Sequence, residues 1–154
     1  MALSERTAMK IDQDYLRKML EAFEASEGPV FYVSDFKAAA LDHREDQFAF
    51  HLALLDDQEF VARDDGKLGF GLARAADGSS MWSLVRLRLT AQGHSFIEAL
   101  RNKEVWATIK RDFKDVSIGT LVDVAKKLSE GYVKKKIDSL LNGERTFAGS
   151  NVKA

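Results

Sequence analysis

Four basic side chains lie in a segment of the sequence that otherwise consists mostly of small and apolar residues. Lysine and arginine bind nucleic-acid phosphates by displacing condensed counterions, so cations on one surface are candidates for backbone contact. Arg86 and Arg88 are two positions apart and share a face if this segment is a strand. An ordinary solvated sheet face is the alternative, and both interpretations remain open. The four candidates are Lys67, Arg74, Arg86 and Arg88.

A second group of candidates lies in the run that begins at Asp46. Arginine and glutamine can read base edges, and only Arg44 and Gln47 offer that chemistry here. The other residues expected to face outward are acidic or apolar, which favours a protein partner. Phe50 is then an apolar anchor, although it can equally touch thymine methyls or pack beneath neighbouring strands. The candidates for protein contact are Asp46, Ala49, Phe50 and Ala53.

The sequence offers little support for a catalytic or metal site. The chain has no cysteine and three histidines, His43, His51 and His94. This composition provides no thiolate ligands, and no two histidines have the i, i+4 spacing of a zinc-binding helix. We expect His51 and His94 to be hydrogen-bonded structural residues that approach each other. The glycine-rich run 66–71 leads into a strand rather than a helix, unlike a phosphate-binding loop. We therefore expect no enzyme activity, no metal and no cofactor.

Helical elements are indicated first. Apolar residues at a 3.6-residue period predict a first helix over about 12–25. Asp42 and Glu45 have the spacing of a capping box, in which an acid three residues into the helix reaches back to the cap. They predict a second helix over 42–57, which carries both Arg44 and the run from Asp46. The base-reading and protein-binding candidates therefore share one helix.

Strand signals follow that helix. We predict strands over Phe60–Arg63 and Met81–Leu89, with glycine- and aspartate-containing turns between them. Thr90 is the expected N-cap of a helix that ends at Arg101. This order of elements is that of a winged helix-turn-helix: a helix, a strand, an extended hairpin (the wing), a strand and a helix. We therefore predict an α+β fold of that class with a small antiparallel sheet, in which the wing bears the four basic candidates.

The last predicted helix is amphipathic. Apolar residues recur along one side from Ile118 to Leu141 and must be covered by the same subunit or by a second one. We expect this helix to form a homodimer. The predicted organisation is a winged-helix domain over 9–101, a helical C-terminal extension over 102–141, and flexible ends at 1–8 and 142–154.

Two motifs suggest a family. The run from Phe50 to Leu55 with its following strand resembles the His-Leu-x-x-Leu helix of many bacterial winged-helix repressors. The run from Leu89 to His94 resembles their Leu-Thr-x-x-Gly corner. With the unusual run from Arg101 to Trp106, the chain is similar over about 9–141 to small bacterial and phage proteins called domain of unknown function 2513. It departs from the repressor pattern at Gln58-Glu59, where such helices usually place a glycine before the strand. The resemblance implies a winged-helix fold and a prokaryotic or prophage setting, with no established activity or ligand.

The charge distribution is unfavourable for simple DNA reading. Residues 1–66 carry 7 basic and 15 acidic side chains, whereas residues 101–154 carry 12 basic and 7 acidic ones. The predicted reading helix lies in the acidic part, yet phosphate binding requires cations. Any contact with DNA is therefore expected to involve the wing and the sugar–phosphate backbone.

The sequence supports two functional hypotheses. The leading one is a small non-enzymatic regulator that binds duplex DNA, as a dimer, through wing and backbone contacts. The alternative is a protein-interaction winged helix, an adaptor or inhibitor, that uses the acidic helix face around Phe50. No apolar run reaches the roughly 18 residues of a membrane span, and the first residues do not form a signal peptide. We therefore expect no membrane partner and a cytoplasmic location.

Overall fold

The structure is a computed structural model that describes the backbone of residues 9–153 and the side chains of residues 9–143. Helices and a small antiparallel sheet form a mixed α+β fold. The elements in chain order are α1 (Gln13–Glu24), a 3₁₀ helix (Val33–Ala39), α2 (Asp46–Asp57), β1 (Val61–Arg63), β2 (Leu72–Arg74), β3 (Ser80–Trp82), β4 (Leu87–Leu89), α3 (Ala91–Arg101), α4 (Lys103–Asp112) and α5 (Ile118–Lys153).

The strands form two small antiparallel pairs. β1 pairs with β4, with Val61 opposite Leu89, and β2 pairs with β3 as a separate hairpin. Phe31, between α1 and the 3₁₀ helix, exchanges two backbone hydrogen bonds with Leu87 on the other side of β4. β4 therefore has a backbone partner on each side and joins the two halves of the fold.

The prediction of one strand over Met81–Leu89 is wrong. Residues 83–86 are irregular and separate β3 from β4. Gly71 has a φ of +94°, and a Cβ at this residue would lie 2.8 Å from a methyl group of Val85. Val85 thus packs against the glycine backbone at the point where the chain leaves the hairpin. The first strand is also one residue shorter than predicted, because β1 begins at Val61.

Helix starts show which capping signals are used. Thr90 is the N-cap of α3, as predicted, because its Oγ1 accepts a hydrogen bond from the Gly93 amide at 3.1 Å. The capping box predicted at Asp42 is wrong. The Asp42 carboxylate accepts from the backbone amide and guanidinium of Arg44 instead, and α2 begins four residues later with Glu45 as its N-cap.

A cluster of phenylalanines unites the N-terminal half. Phe36 in the 3₁₀ helix meets Phe23, Phe31 and Phe48 edge-on, with ring centroids 4.5 to 5.1 Å apart. Such edge-to-face pairs contribute about 0.5–1.5 kcal/mol each beyond the burial of their surface. The cluster packs α1, the 3₁₀ helix and the start of α2 around the residue that bridges to β4.

The C-terminal helix has two distinct parts. Leu121 and Ala125 are buried where the first part packs on α3 and α4. The helical backbone then continues to Lys153, past the end that the sequence predicted at Leu141. Of the two expected flexible ends, residues 1–8 lie outside the described part of the chain.

Candidate functional site

Helix α2 has an outer face that is acidic at its ends and apolar in its middle. Asp46 and Asp57 are exposed, and the three residues between them on this stripe are half-buried. The helical period brings these positions together, because residues three and four apart are neighbours on a helix surface. We call this surface the α2 face, and its members are Asp46, Phe50, Ala53, Leu54 and Asp57.

The sequence-based candidates for this face need one correction and two additions. Ala49 is only 7% exposed, so it faces the body of the protein and cannot serve as a contact residue. It lies beside Phe48 on the inward side of α2. Leu54 and Asp57 were not among the candidates, although both follow Phe50 at helical spacing. Applying the period outward from Asp46 would have identified them.

Of the two base-reading candidates, Arg44 is paired through its side chain, whereas Gln47 is engaged only through its backbone. The guanidinium of Arg44 donates two hydrogen bonds to the Asp42 carboxylate, at 3.1 and 3.0 Å. These bonds to Arg44 lower the pKa of Asp42 to about 2, so the pair is neutral overall at physiological pH. Gln47 is half-buried, and its backbone carbonyl accepts from the His51 ring at 2.7 Å. Neither residue adds an unpaired cation to the start of α2.

His51 joins α2 to α1. Its side chain is fully buried, its Nε2 accepts from the Asp12 amide at 2.9 Å, and its Nδ1 lies 2.7 Å from the Gln47 carbonyl. This geometry fixes a neutral ring with the proton on Nδ1. Burial lowers the pKa of His51, which favours the same neutral form. The Tyr15 and Phe50 rings lie 4.7 and 5.2 Å from it, so His51 also supports the α2 face from below.

His94 has a different partner. Its Nδ1 lies 3.9 Å from a carboxylate oxygen of Glu24, which also pairs with Arg101. The expectation of a hydrogen-bonded structural histidine is confirmed for His51, whereas His94 is 57% exposed with only this longer contact among the described residues. The expectation that the two rings approach each other is wrong, because they have separate partners. His43 belongs to a third environment, where its ring meets those of Phe48 and Trp82.

The predicted wing residues have unequal surroundings. Arg86 pairs with Asp64 at 3.2 Å and lies in the irregular segment before β4, so it does not share a strand face with Arg88. Lys67, Arg74 and Arg88 are exposed, and none of them forms an ion pair among the described residues. Three of the four basic candidates are therefore outside any ion pair among the described residues, and Arg86 is not.

Trp82 attaches the hairpin to the rest of the fold. Its ring lies 5.9 Å from His43, 5.8 Å from Phe48 and 5.8 Å from Phe70. Phe48 is fully buried in α2, so this contact holds β3 beside the beginning of that helix. The hairpin is therefore packed against the same helix that carries the α2 face.

An open cavity of about 1270 Å³ borders the start of α2. Glu45 and Asp46 line one side, while Lys110 and Lys114 line the other. Lys110 is already paired with the Asp14 carboxylate at 2.7 Å. The wall of the cavity therefore contains both acidic and basic side chains.

In the described part of the chain, no group of three or more histidine, cysteine, aspartate or glutamate side chains has the arrangement to hold a metal ion. Across the same residues, no helix is both long enough and apolar enough to span a membrane.

The fold and its surfaces define a small α+β protein with an acidic and apolar helix face beside a two-stranded hairpin. Residues 10–119 match a family model described as "Hypothetical protein (DUF2513)", and the chain belongs to this family. The resemblance found in the sequence motifs is thereby confirmed. The chain is also 32% identical over 69 residues to an uncharacterized protein of Haemophilus influenzae. That stretch is 44% of this chain and 58% of the relative, so the chain spans little more than half of the relative's length. No solved structure matches the chain.

Proposed function

We propose that this protein is a non-enzymatic winged-helix interaction module whose α2 face binds a positively charged protein segment that carries an apolar anchor. The order of elements supports the winged-helix part of the proposal. α1, the extended residue Phe31, the 3₁₀ helix and α2 are followed by β1, the hairpin and β4. In this scheme the 3₁₀ helix and α2 form the helix-turn-helix, and the β2–β3 hairpin is the wing.

The observation that carries the proposed function is the chemistry of the α2 face. A helix that reads DNA presents arginine, lysine, asparagine or glutamine to the bases. This face instead presents aspartates at both ends and Phe50 and Leu54 between them. Phosphates would be repelled by this arrangement, whereas a basic partner would be attracted and an apolar side chain could be desolvated between the acids.

Replacing Phe50 with alanine should weaken binding of the partner by about 2 kcal/mol, or roughly 30-fold, as expected for a buried aromatic anchor. The partner can be found with a photo-crosslinking amino acid at Leu54 in cells that naturally express the protein. Isothermal titration with the purified partner then measures the dissociation constant of wild type and Phe50→Ala.

A crosslinker at Arg74 on the hairpin is the matched control, because it samples the other candidate surface. Replacing Asp46 and Asp57 with lysine should abolish binding if the partner segment is basic. A captured protein whose affinity is unchanged by all three substitutions contradicts the proposal, as does crosslinking to nucleic acid alone. Thermal unfolding of each variant verifies that the fold is retained.

Binding to duplex DNA through the wing is the second candidate, and one observation favours it. Lys67 before β2, Arg74 in β2 and Arg88 in β4 are exposed, and none of them forms an ion pair among the described residues. Such side chains can follow a phosphate backbone without reading bases. In this case a dimeric regulator would derive its affinity from the wing, and Gln47 would be the remaining candidate for base contact.

The salt dependence of DNA affinity tests this second candidate. Replacing Arg74 and Arg88 together with alanine should make the slope of log affinity against log salt shallower by about 2, since each lost phosphate contact removes about 0.9. Arg86→Ala is the control with smaller effect, because Arg86 is paired with Asp64. Fluorescence anisotropy with a labelled duplex gives the slopes. Absence of salt-sensitive binding at 50 mM salt would eliminate DNA as the ligand.

A further inference from the structure

The second part of α5 has an apolar stripe that nothing in the described structure covers. Val133, Ile137 and Leu140 are 49%, 50% and 61% exposed, and Leu141 is 49% exposed. Ser129, Val133, Ile137 and Leu141 follow one another at intervals of four, so they form one ridge along the helix. Such a ridge on a helix that extends beyond its own core usually lies against a second helix.

A groove of about 560 Å³ lies on the same side of α5, nearer to its beginning. It runs between α3 and α5, and the Phe60 and Phe96 rings are stacked 4.8 Å apart in its wall. Ala99 and Val122 add further apolar lining, and Ser129 and Glu130 lie at the end towards the ridge. The apolar surface therefore continues from the groove to the ridge.

The charges beside the ridge alternate in sign. Lys126, Glu130, Lys134 and Asp138 follow each other at intervals of four, next to the apolar row. None of these four forms an ion pair among the described residues, although intervals of four would allow it within one helix. When a second copy of the helix lies antiparallel to the first, each lysine of the row faces an acid of the other copy. The row is therefore complementary to itself in the antiparallel direction.

We propose that two copies of the chain associate through their α5 helices, antiparallel about a two-fold axis near Tyr132. In this arrangement Glu130 faces the partner subunit's Lys134, and Lys126 faces the partner subunit's Asp138. Ile137, Leu140 and Leu141 enter the groove between α3 and α5 of the partner subunit. A two-fold interface requires each surface to be complementary to itself, and the ridge, groove and charge row together meet that condition.

This assembly differs from a dimer formed along the whole of Ile118–Leu141. Leu121 and Ala125 are already buried by α3 and α4 of the same subunit, so only the face between Val122 and Leu141 remains for association. The inference is independent of the α2 face, because none of its residues takes part. Failure of one proposal therefore leaves the other intact.

Charge reversal tests the antiparallel register. Analytical ultracentrifugation should show wild type as a dimer at tens of micromolar, with a dissociation constant of about 1 μM or tighter. Lys134→Glu and Glu130→Lys each create two symmetric like-charge contacts, and each should weaken the homodimer by about tenfold. An equimolar mixture of the two variants should restore affinity, since every contact in the heterodimer then joins opposite charges. Native mass spectrometry identifies the heterodimer.

A gain in affinity on mixing cannot come from ion pairs within one helix, because the charges along each variant helix are the same in the mixture as in the separate variants. Lys135→Glu is the matched control, since Lys135 points away from the ridge, and it should leave the dissociation constant unchanged. Ile137→Glu should abolish the dimer while circular dichroism stays the same. Monomeric wild type at 50 μM would overturn the proposal, as would a mixture that associates no better than its components.

Discussion

Replacing Gly93 with alanine should destabilise the protein by about 3 kcal/mol or more, at the upper end of the cost of overpacking a core. Gly93 lies in the first turn of α3, where the helix crosses the end of the α2–β1 connection. A Cβ at this position would overlap the backbone carbonyl oxygen of Phe60 and lie 3.1 Å from Leu89 Cδ2. The obstacle is backbone rather than a flexible side chain. The helix and the strand must therefore separate.

This separation would also break the hydrogen bonds that surround the glycine. The Gly93 amide donates to Thr90 Oγ1, which itself donates to the Glu59 carbonyl at 2.6 Å, and the Thr90 amide donates to the Phe60 carbonyl at 2.9 Å. One added methyl group would therefore disturb the packing and hydrogen bonds of the whole corner between β1, β4 and α3.

Chemical denaturation of wild type, Gly93→Ala and Gly119→Ala measures the effect. Gly119 lies in the first turn of α5 with no atom within 4 Å of a built Cβ, so alanine there should be neutral or stabilising by up to about 1 kcal/mol. For a chain of this size, a loss of 3 kcal/mol should lower the melting temperature by about 6–12 °C. Equal stability of the two variants would show that the corner has room for a side chain.

The same corner shows how far the sequence could be used to predict the structure. Thr90 and Gly93 form a local motif of four residues, and both the helix start and its cap were correctly predicted from it. The start of α2 was predicted incorrectly, because Asp42 prefers the adjacent guanidinium of Arg44 to a helix amide. Capping-box spacing alone does not distinguish these alternatives, since both are local hydrogen bonds to one carboxylate.

The sheet was harder to predict for a different reason. The alternation between Met81 and Leu89 satisfies the period of a strand, but the break between β3 and β4 depends on contact between Gly71 and Val85. The extended residue Phe31, which pairs with Leu87, is part of the sheet without a strand-length pattern of its own. Both features involve contacts between residues that are distant in the sequence, and no local sequence pattern indicates them.

Some features of the candidate site could be predicted from the sequence, and others could not. The absence of cations from the α2 face follows directly from residue types and the helical period, and it was visible in the sequence. Ion pairing was not, because the contacts of Arg44 with Asp42 and of Arg86 with Asp64 are formed only on the folded surface. Which cations are free is therefore a property of the folded surface, and residue types alone do not show it.

Replacing the fully buried His51 with alanine should cost about 3 kcal/mol, because it leaves a cavity and removes hydrogen-bond partners from two part-buried backbone groups. The Asp12 amide would lose its acceptor, and Asp12 is the N-cap residue of α1. The Gln47 carbonyl would lose its contact with Nδ1. Both helices are therefore expected to loosen. Urea denaturation at pH 7.5 measures the loss.

The same histidine should make stability depend on pH. Burial lowers the pKa of His51 below its ordinary value of 6.5. Between the two values the unfolded chain binds a proton that the folded chain does not, so acid favours unfolding. The contribution of His51 is fully present above about pH 6.5 and is lost as the pH falls towards the folded-state pKa. Protonation of Nε2 also removes the acceptor of the Asp12 amide.

His51→Gln separates this effect from other titrations, since an amide can donate and accept hydrogen bonds but does not bind a proton in this range. Melting temperatures from pH 7.5 to 5.0 should fall more steeply for wild type than for His51→Gln. His94→Gln, at a side chain that is 57% exposed, is the matched control for the stability effect of a histidine-to-glutamine change. The Asp42–Arg44 pair does not interfere, since the pKa of Asp42 is about 2. Parallel curves for wild type and His51→Gln would contradict the buried neutral histidine, because only a difference in proton binding between the folded and unfolded states produces the extra slope.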